Sequence, residues 1–130
     1  MRAIRFENAG NADVIKLVEE PIPQVRPHDL LVRVYAAGLN RAEILQRQGF
    51  YGKQPDFGDS VIPGLEIAGE VVEVGSAATG FLNGDRVMAI IGGGAHAEYA
   101  RRRLCLRKRL RAGRSQAQMR RTLISLAGHS

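Results

Sequence analysis

Apolar and polar residues alternate with a period of about two through five short runs of the chain. The runs are MRAIRF (1–6), VIKLVEE (14–20), DLLVRVYAAG (29–38), IAGEVVEVG (67–75) and GDRVMAII (84–91). Each is brief and rich in Val and Ile, the residue types that pack well on a pleated, half-buried surface, so each is predicted to be a strand. The segments between them carry turn chemistry. EEPIPQVRPHD (19–29) places three prolines where the chain leaves a strand, and GSAATGFLNGD (75–85) mixes Gly, Asn and Asp where it turns. The pattern predicts a mainly β fold, a barrel or sandwich.

One segment has a different period. NRAEILQRQG (40–49) offers Asn40 as N-cap and Glu43 three residues on to reach back to it; Ile44 and Leu45 give it an apolar face, and Gly49 a stop. A two-turn helix spanning roughly 12 Å is predicted there. It delivers the chain to FYGKQPDFGD (50–59), a loop with two aromatic residue types and two glycines, which reads as a pocket wall beside a strand end.

Length allows one domain: 130 residues bury roughly two-thirds of the surface that the unfolded chain exposes, enough for an unstapled core. The first fifteen residues lack the apolar stretch of a signal peptide, and no run approaches the roughly 20 apolar residues of a membrane span, so a cytoplasmic chain is expected. A single cysteine, Cys105, excludes an internal disulfide framework. The net charge of +6 changes the picture once it is divided. Residues 1–100 hold nine basic and thirteen acidic side chains, whereas residues 101–130 hold ten basic and none acidic. The excess positive charge therefore belongs to the C-terminal stretch, and a phosphate-binding role cannot describe the first hundred residues.

Three motifs in fixed order then carry a family resemblance: AAGLNRAEILQRQGFYG (36–52), PGLEIAGEVVEVG (63–75) and GDRVMAIIGGGAHAEYA (84–100). Together they resemble the GroES-like, N-terminal half of the medium-chain dehydrogenase/reductase superfamily, in its zinc-free quinone oxidoreductase branch, over about residues 1–100. The resemblance implies a partly open antiparallel barrel with one or two short helices, forming the substrate side of a cleft. A following Rossmann domain would hold most of the cofactor, NADPH, for metal-free hydride transfer to a quinone or conjugated carbonyl. Family members are often homodimers. The resemblance also marks Asn40 and Tyr51 as active-site positions, with Asn40 on the nicotinamide side, where amide and phenol offer hydrogen bonds to a carbonyl oxygen as hydride arrives. The bare residues equally allow Asn40 to be a helix cap and Tyr51 a packed loop aromatic. Relatives often carry a tyrosine where this chain has Leu45.

More distant, zinc-dependent relatives place a cysteine at the position of Asn40 and a histidine at that of Leu65. Neither an amide nor an alkyl group is a zinc donor, so no zinc is expected. His28, His96, Cys105 and His129 show no ligand spacing and read as ordinary surface or loop residues. Glu66 keeps the family's acidic position, where an ion pair or hydrogen bond at the barrel mouth is expected. GGGAHA formally fits the dinucleotide fingerprint at Gly92, Gly94 and Ala97, but no acid follows Glu98 to meet a ribose. A glycine turn leading into the strand HAEYA (96–100) is the expected structure.

Residues 101–130, with nine arginines and one lysine, continue none of this. They are expected to form a basic tail, disordered by self-repulsion at low salt, or to be the product of a frameshift or truncated gene. On that reading the chain is an inactive fragment without a cofactor domain. The alternative from another class is a non-catalytic GroES-like binding module whose basic tail contacts nucleic acid, a membrane or an acidic partner.

Overall fold

A computed structural model describes residues 1–50 and 60–103. Strands β1 (Arg2–Phe6) and β2 (Ile15–Glu19) pair antiparallel, from Arg2 opposite Glu19 to Phe6 opposite Ile15, on either side of a single 3-10 turn at Ala12–Val14. The second sheet has four antiparallel strands: β3 (Asp29–Ala37), β4 (Glu66–Val74), β5 (Arg86–Ile90) and β6 (Tyr99–Arg103), in the order β5-β4-β3-β6. The fold is mainly β, with antiparallel sheets that do not close, as the GroES-like resemblance implied. All five strands read from alternation are present; four are trimmed at their ends, and β4 is shifted by one residue to Glu66–Val74.

Buried apolar side chains of the central strands explain why these runs form the sheet. Leu30, Val32, Ile67, Val71 and Ala100 meet Ile91 and Ala95 in one core, with Val34, Phe81 and Val87 packed against it. Polar residues of the same strands, Arg33, Glu70 and Glu73, face away from that core. The pairing of β3 with β4 shifts register between Leu31 and Val32 and again between Val34 and Ala36, bulges that bend an open sheet towards a barrel. Gly69 permits this approach, because a Cβ there would lie 2.1 Å from the Arg33 carbonyl oxygen.

The two sheets are tied by residues 96–98. Ala3 bridges Ala97, the Ile4 N–H donates to the His96 carbonyl at 2.8 Å, and the Val34 N–H donates to the Glu98 carbonyl at 2.9 Å. This arm splits the expected strand at 96–100: Ala97 serves the first sheet, and continuous pairing with β3 begins only at Tyr99.

β6 carries the sheet three residues past the charge boundary at residue 101. Arg101, Arg102 and Arg103 pair with Leu31, Leu30 and Asp29. The Arg101 guanidinium Nε lies 3.4 Å from the carboxylate of Asp29, whose side chain is 2% exposed. Backbone pairing does not depend on side-chain charge, and a buried acid on β3 supplies the counter-charge. The expected tail beyond these three residues, 104–130, lies outside the described residues.

Candidate functional site

β3 ends at Ala37, opposite Ile67 near the start of β4, so the chain entering the helix and the chain entering β4 emerge at one end of the sheet. The helix, α1 (Arg41–Arg47), forms where its capping residues predicted, with Asn40 in extended conformation at the N-cap and Gly49 at φ +87° just past its end. Glu43 Oε2 accepts the Asn40 backbone N–H at 2.7 Å, the glutamate half of a capping box, and the Glu43 N–H makes a backbone bond to the Asn40 carbonyl at 3.1 Å. The expected helix is therefore present.

Local pattern did not reveal the other half of Glu43. Its side chain is buried, and Oε1 accepts the backbone N–H of Leu65 at 3.1 Å. Leu65 follows Gly64, whose φ of +101° makes a turn that a side chain could not follow without meeting the His96 backbone nitrogen. The Leu65 carbonyl accepts the Ile91 N–H at 2.7 Å, and the Gly64 carbonyl accepts the Ala95 N–H at 3.2 Å. Asn40 and Leu65 are thus drawn together by one carboxylate.

Glu66 completes the end of the sheet. The Gly38 N–H donates to its carbonyl at 3.1 Å, and its carboxylate lies so close to Gly38 that a Cβ on that glycine would be 2.6 Å from Oε2. An ion pair or hydrogen bond was expected of Glu66; among the described residues its Oε2 is buried without a hydrogen-bond partner. The Asn40 side-chain nitrogen, Nδ2, is likewise buried and unpartnered. Natural folds leave few such atoms, and those that remain call for a functional or ligand-based explanation. One donor and one acceptor therefore stand unpaired on residues at the same strand ends. Around them Leu39 is 79% exposed and Ile90, opposite Glu66 on β5, is 71% exposed.

His96 lies in a loop, as expected, and ties it to the site. Its Nε2 lies 3.2 Å from the Gly38 carbonyl oxygen, joining the arm at 96–98 to the turn before Asn40. Gly93 and Gly94, at φ +144° and +94°, make the glycine turn that was expected; an arm and β6 follow it, not the helix a dinucleotide fingerprint would open. Leu45 is half-buried in α1, and His28 is exposed before β3. Tyr51, Cys105 and His129 lie outside the described residues. Among the described residues no three His, Cys, Asp or Glu side chains gather as a metal site would require.

The perturbed ionisable groups lie elsewhere. The Glu98 carboxyl is held below its ordinary range, first by the Arg2 backbone N–H at 2.9 Å and then by the Arg2 guanidinium, whose Nε donates at 2.8 Å. Glu70 is also lowered, chiefly by the Tyr35 hydroxyl, which donates to it at 2.6 Å. Arg2 and Glu98 flank a shallow open depression lined by Ile4, Leu17, Val34, His96 and Ala97 at the junction of the sheets, whose lining does not include Asn40 or Glu66. These groups tie the structure together, and the candidate site is the end of the sheet that carries Asn40 and Glu66.

The alcohol dehydrogenase GroES-like domain family matches residues 26–118. The chain belongs to that family, within the medium-chain dehydrogenase/reductases, and the match runs past residue 100 into the basic stretch. Human quinone oxidoreductase is 39% identical over 105 residues, 77% of this chain and 30% of its own length. A chloroplastic quinone oxidoreductase homolog of Spinacia oleracea is 38% identical over 104 residues, covering 77% of this chain and 32% of its own. Among solved structures, the quinone oxidoreductase of Coxiella burnetii superposes with a TM-score of 0.71 at 34% identity, over 80% of this chain and 35% of its own. That of Escherichia coli, solved in complex with NADPH, gives 0.69 at 29% identity over 78% of this chain and 30% of its own. The chain thus spans about a third of the length of the curated relatives it matches.

Proposed function

We propose that this chain is the substrate-side domain of an NADPH-dependent, metal-free reductase that transfers hydride to a quinone or another conjugated carbonyl. The observation that carries this reading is the buried, unpartnered Asn40 Nδ2, an amide donor held at the open end of the sheet. A donor aimed at a carbonyl oxygen stabilises the negative charge that develops there as hydride arrives. NADPH supplies the hydride when bound. Asn40 is the residue of this chain assigned to the nicotinamide side, and Tyr51 is assigned a second hydrogen bond to the substrate. The donor set does not fit a catalytic zinc: Asn40 presents an amide nitrogen, Leu65 an alkyl group, and Glu66 alone a carboxylate, where three protein ligands are needed. We extend the proposal to a cytoplasmic homodimer, an extension that rests on the family resemblance alone.

Hydride transfer needs its donor within about 3 to 3.5 Å of the acceptor in a fixed pose, which calls for a cofactor-holding portion such as the longer relatives have room for. By itself the 130-residue chain is expected neither to bind NADPH tightly nor to oxidise it. Joining it to the cofactor-binding part of a quinone oxidoreductase and following NADPH oxidation at 340 nm tests the reading. Turnover should appear, and Asn40→Ala should lower kcat/KM by about a hundredfold. A fusion that binds NADPH and still reduces no quinone would refute it.

A further inference from the structure

Glu43 is 5% exposed on the first turn of a seven-residue helix. Burying a carboxylate is costly unless its oxygens accept hydrogen bonds, and here both do. A capping box needs only one of them, and a solvent-exposed glutamate serves that purpose. The second bond, from Leu65 N–H to Oε1, spans 22 residues and joins the turn before α1 to the turn before β4. Each N–H that Glu43 holds belongs to, or adjoins, a residue with a buried unpaired atom: Asn40 carries Nδ2, and Glu66, next to Leu65, carries Oε2.

We propose that Glu43 is the positioning residue of this site, one carboxylate that fixes the segment carrying the Asn40 amide relative to the segment carrying the Glu66 carboxylate. The geometry supports this from both sides. The Leu65 carbonyl is already held by Ile91, and Gly38 is held by Glu66 and His96, so the Glu43 bonds close the link between two otherwise fixed strand ends. Helix α1 then acts as a strut, with its N-terminal N–H dipoles favouring the buried negative charge. The effect on a carbonyl ligand rests on the reading given under Proposed function, whereas the positioning itself does not.

Hydrogen exchange and side-chain amide spectra of the full 130-residue chain test it, with Glu43→Gln as the variant and Ile44→Ala as the control. Glutamine keeps the length but turns an NH2 group towards one of the two N–H donors. The Asn40 and Leu65 amides should exchange at least about tenfold faster, and the Asn40 side-chain NH2 signals should move. The Val34 and Val71 amides, bonded to Glu98 and Asp85, should keep their rates. All four amides accelerating together would show a merely structural role and overturn the proposal. If Glu43→Gln does not fold, Glu43→Asp replaces it: the shorter side chain should release Leu65 and leave Asn40 protected, and equal release of both would overturn the proposal.

Duroquinone, titrated into the wild-type chain and the variant while the Asn40 side-chain signals are followed, reads the consequence. Affinity should fall at least about tenfold in Glu43→Gln. Unchanged affinity despite the lost protection would sink the positioning role. Absence of any duroquinone response in wild type, with the selective exchange pattern intact, would refute the quinone reading and support Glu43 as a positioning residue of a site for another ligand.

Discussion

Two glycines at the site separate backbone requirements from side-chain ones. Gly64 sits at φ +101°, and a Cβ there would lie 2.6 Å from Ala95 Cβ and 2.8 Å from the His96 nitrogen. Backbone cannot yield as a flexible side chain can, so Gly64→Ala should cost about 2 kcal/mol or more, read from the urea midpoint. Gly38 is different. A Cβ there meets the Glu66 side chain, 2.6 Å from Oε2 and 3.2 Å from Cβ, and its φ is not in the left-handed region. Gly38→Ala should cost under about 1 kcal/mol while displacing the Glu66 carboxylate, visible as a change in its carboxyl carbon shift. Equal destabilisation by the two substitutions would contradict this assignment. Both glycines fall within the family motifs, but the sequence could not tell which one guards a carboxylate, because that depends on a neighbour 28 residues away.

At the scale of elements, the outer face of the large sheet is held by a polar row. The Arg33 guanidinium donates to the Tyr35 hydroxyl at 2.9 Å, and that hydroxyl donates to Glu70 on β4 at 2.6 Å. Hydrogen bonding to the charged form lowers Glu70 below its ordinary value of 4.5, as Arg2 does for Glu98. A carboxyl whose folded pKa is depressed contributes stability above its unfolded pKa and loses it as pH falls through the lower, folded value. Melting temperature should therefore decline as pH drops below about 4.5. In Tyr35→Phe the Glu70 carboxyl should titrate closer to its ordinary value and that acid decline should shrink, as carbon-13 titration and melts across pH would show. A Glu70 titration unmoved by Tyr35→Phe would leave Arg33 as the cause. Tyr35, Arg33 and Glu70 fall in runs legible as strands; their mutual contact was not legible, since it depends on the β3–β4 register and its bulges.

For the whole molecule, the consequential question is where the folded unit stops. Charge composition divides the chain at residue 101, yet β6 continues through Arg103 and Arg101 faces the buried Asp29. Removing one partner of a buried pair leaves the other uncompensated. Arg101→Met should thus destabilise the protein by about 3 kcal/mol, whereas Arg103→Met, at the exposed strand end, should change stability by less than about 0.5 kcal/mol. Urea unfolding of both variants decides it, and equal small effects would return the boundary to residue 100.

Local chemistry determined the elements of this protein. Period-two runs bounded by proline and glycine specify strands wherever they fall, and a cap, a reaching glutamate and a terminal glycine specify a short helix, because these preferences act within a few residues. Motif order likewise carried the family. Tertiary structure decided the site. Only the fold brings Leu65 to the second oxygen of Glu43, leaves Asn40 Nδ2 and Glu66 Oε2 buried without partners, and carries three arginines into a sheet that composition assigned to a tail. Each of these depends on which distant backbone a residue meets, and backbone groups pair by geometry, independently of the side-chain pattern that makes a sequence readable.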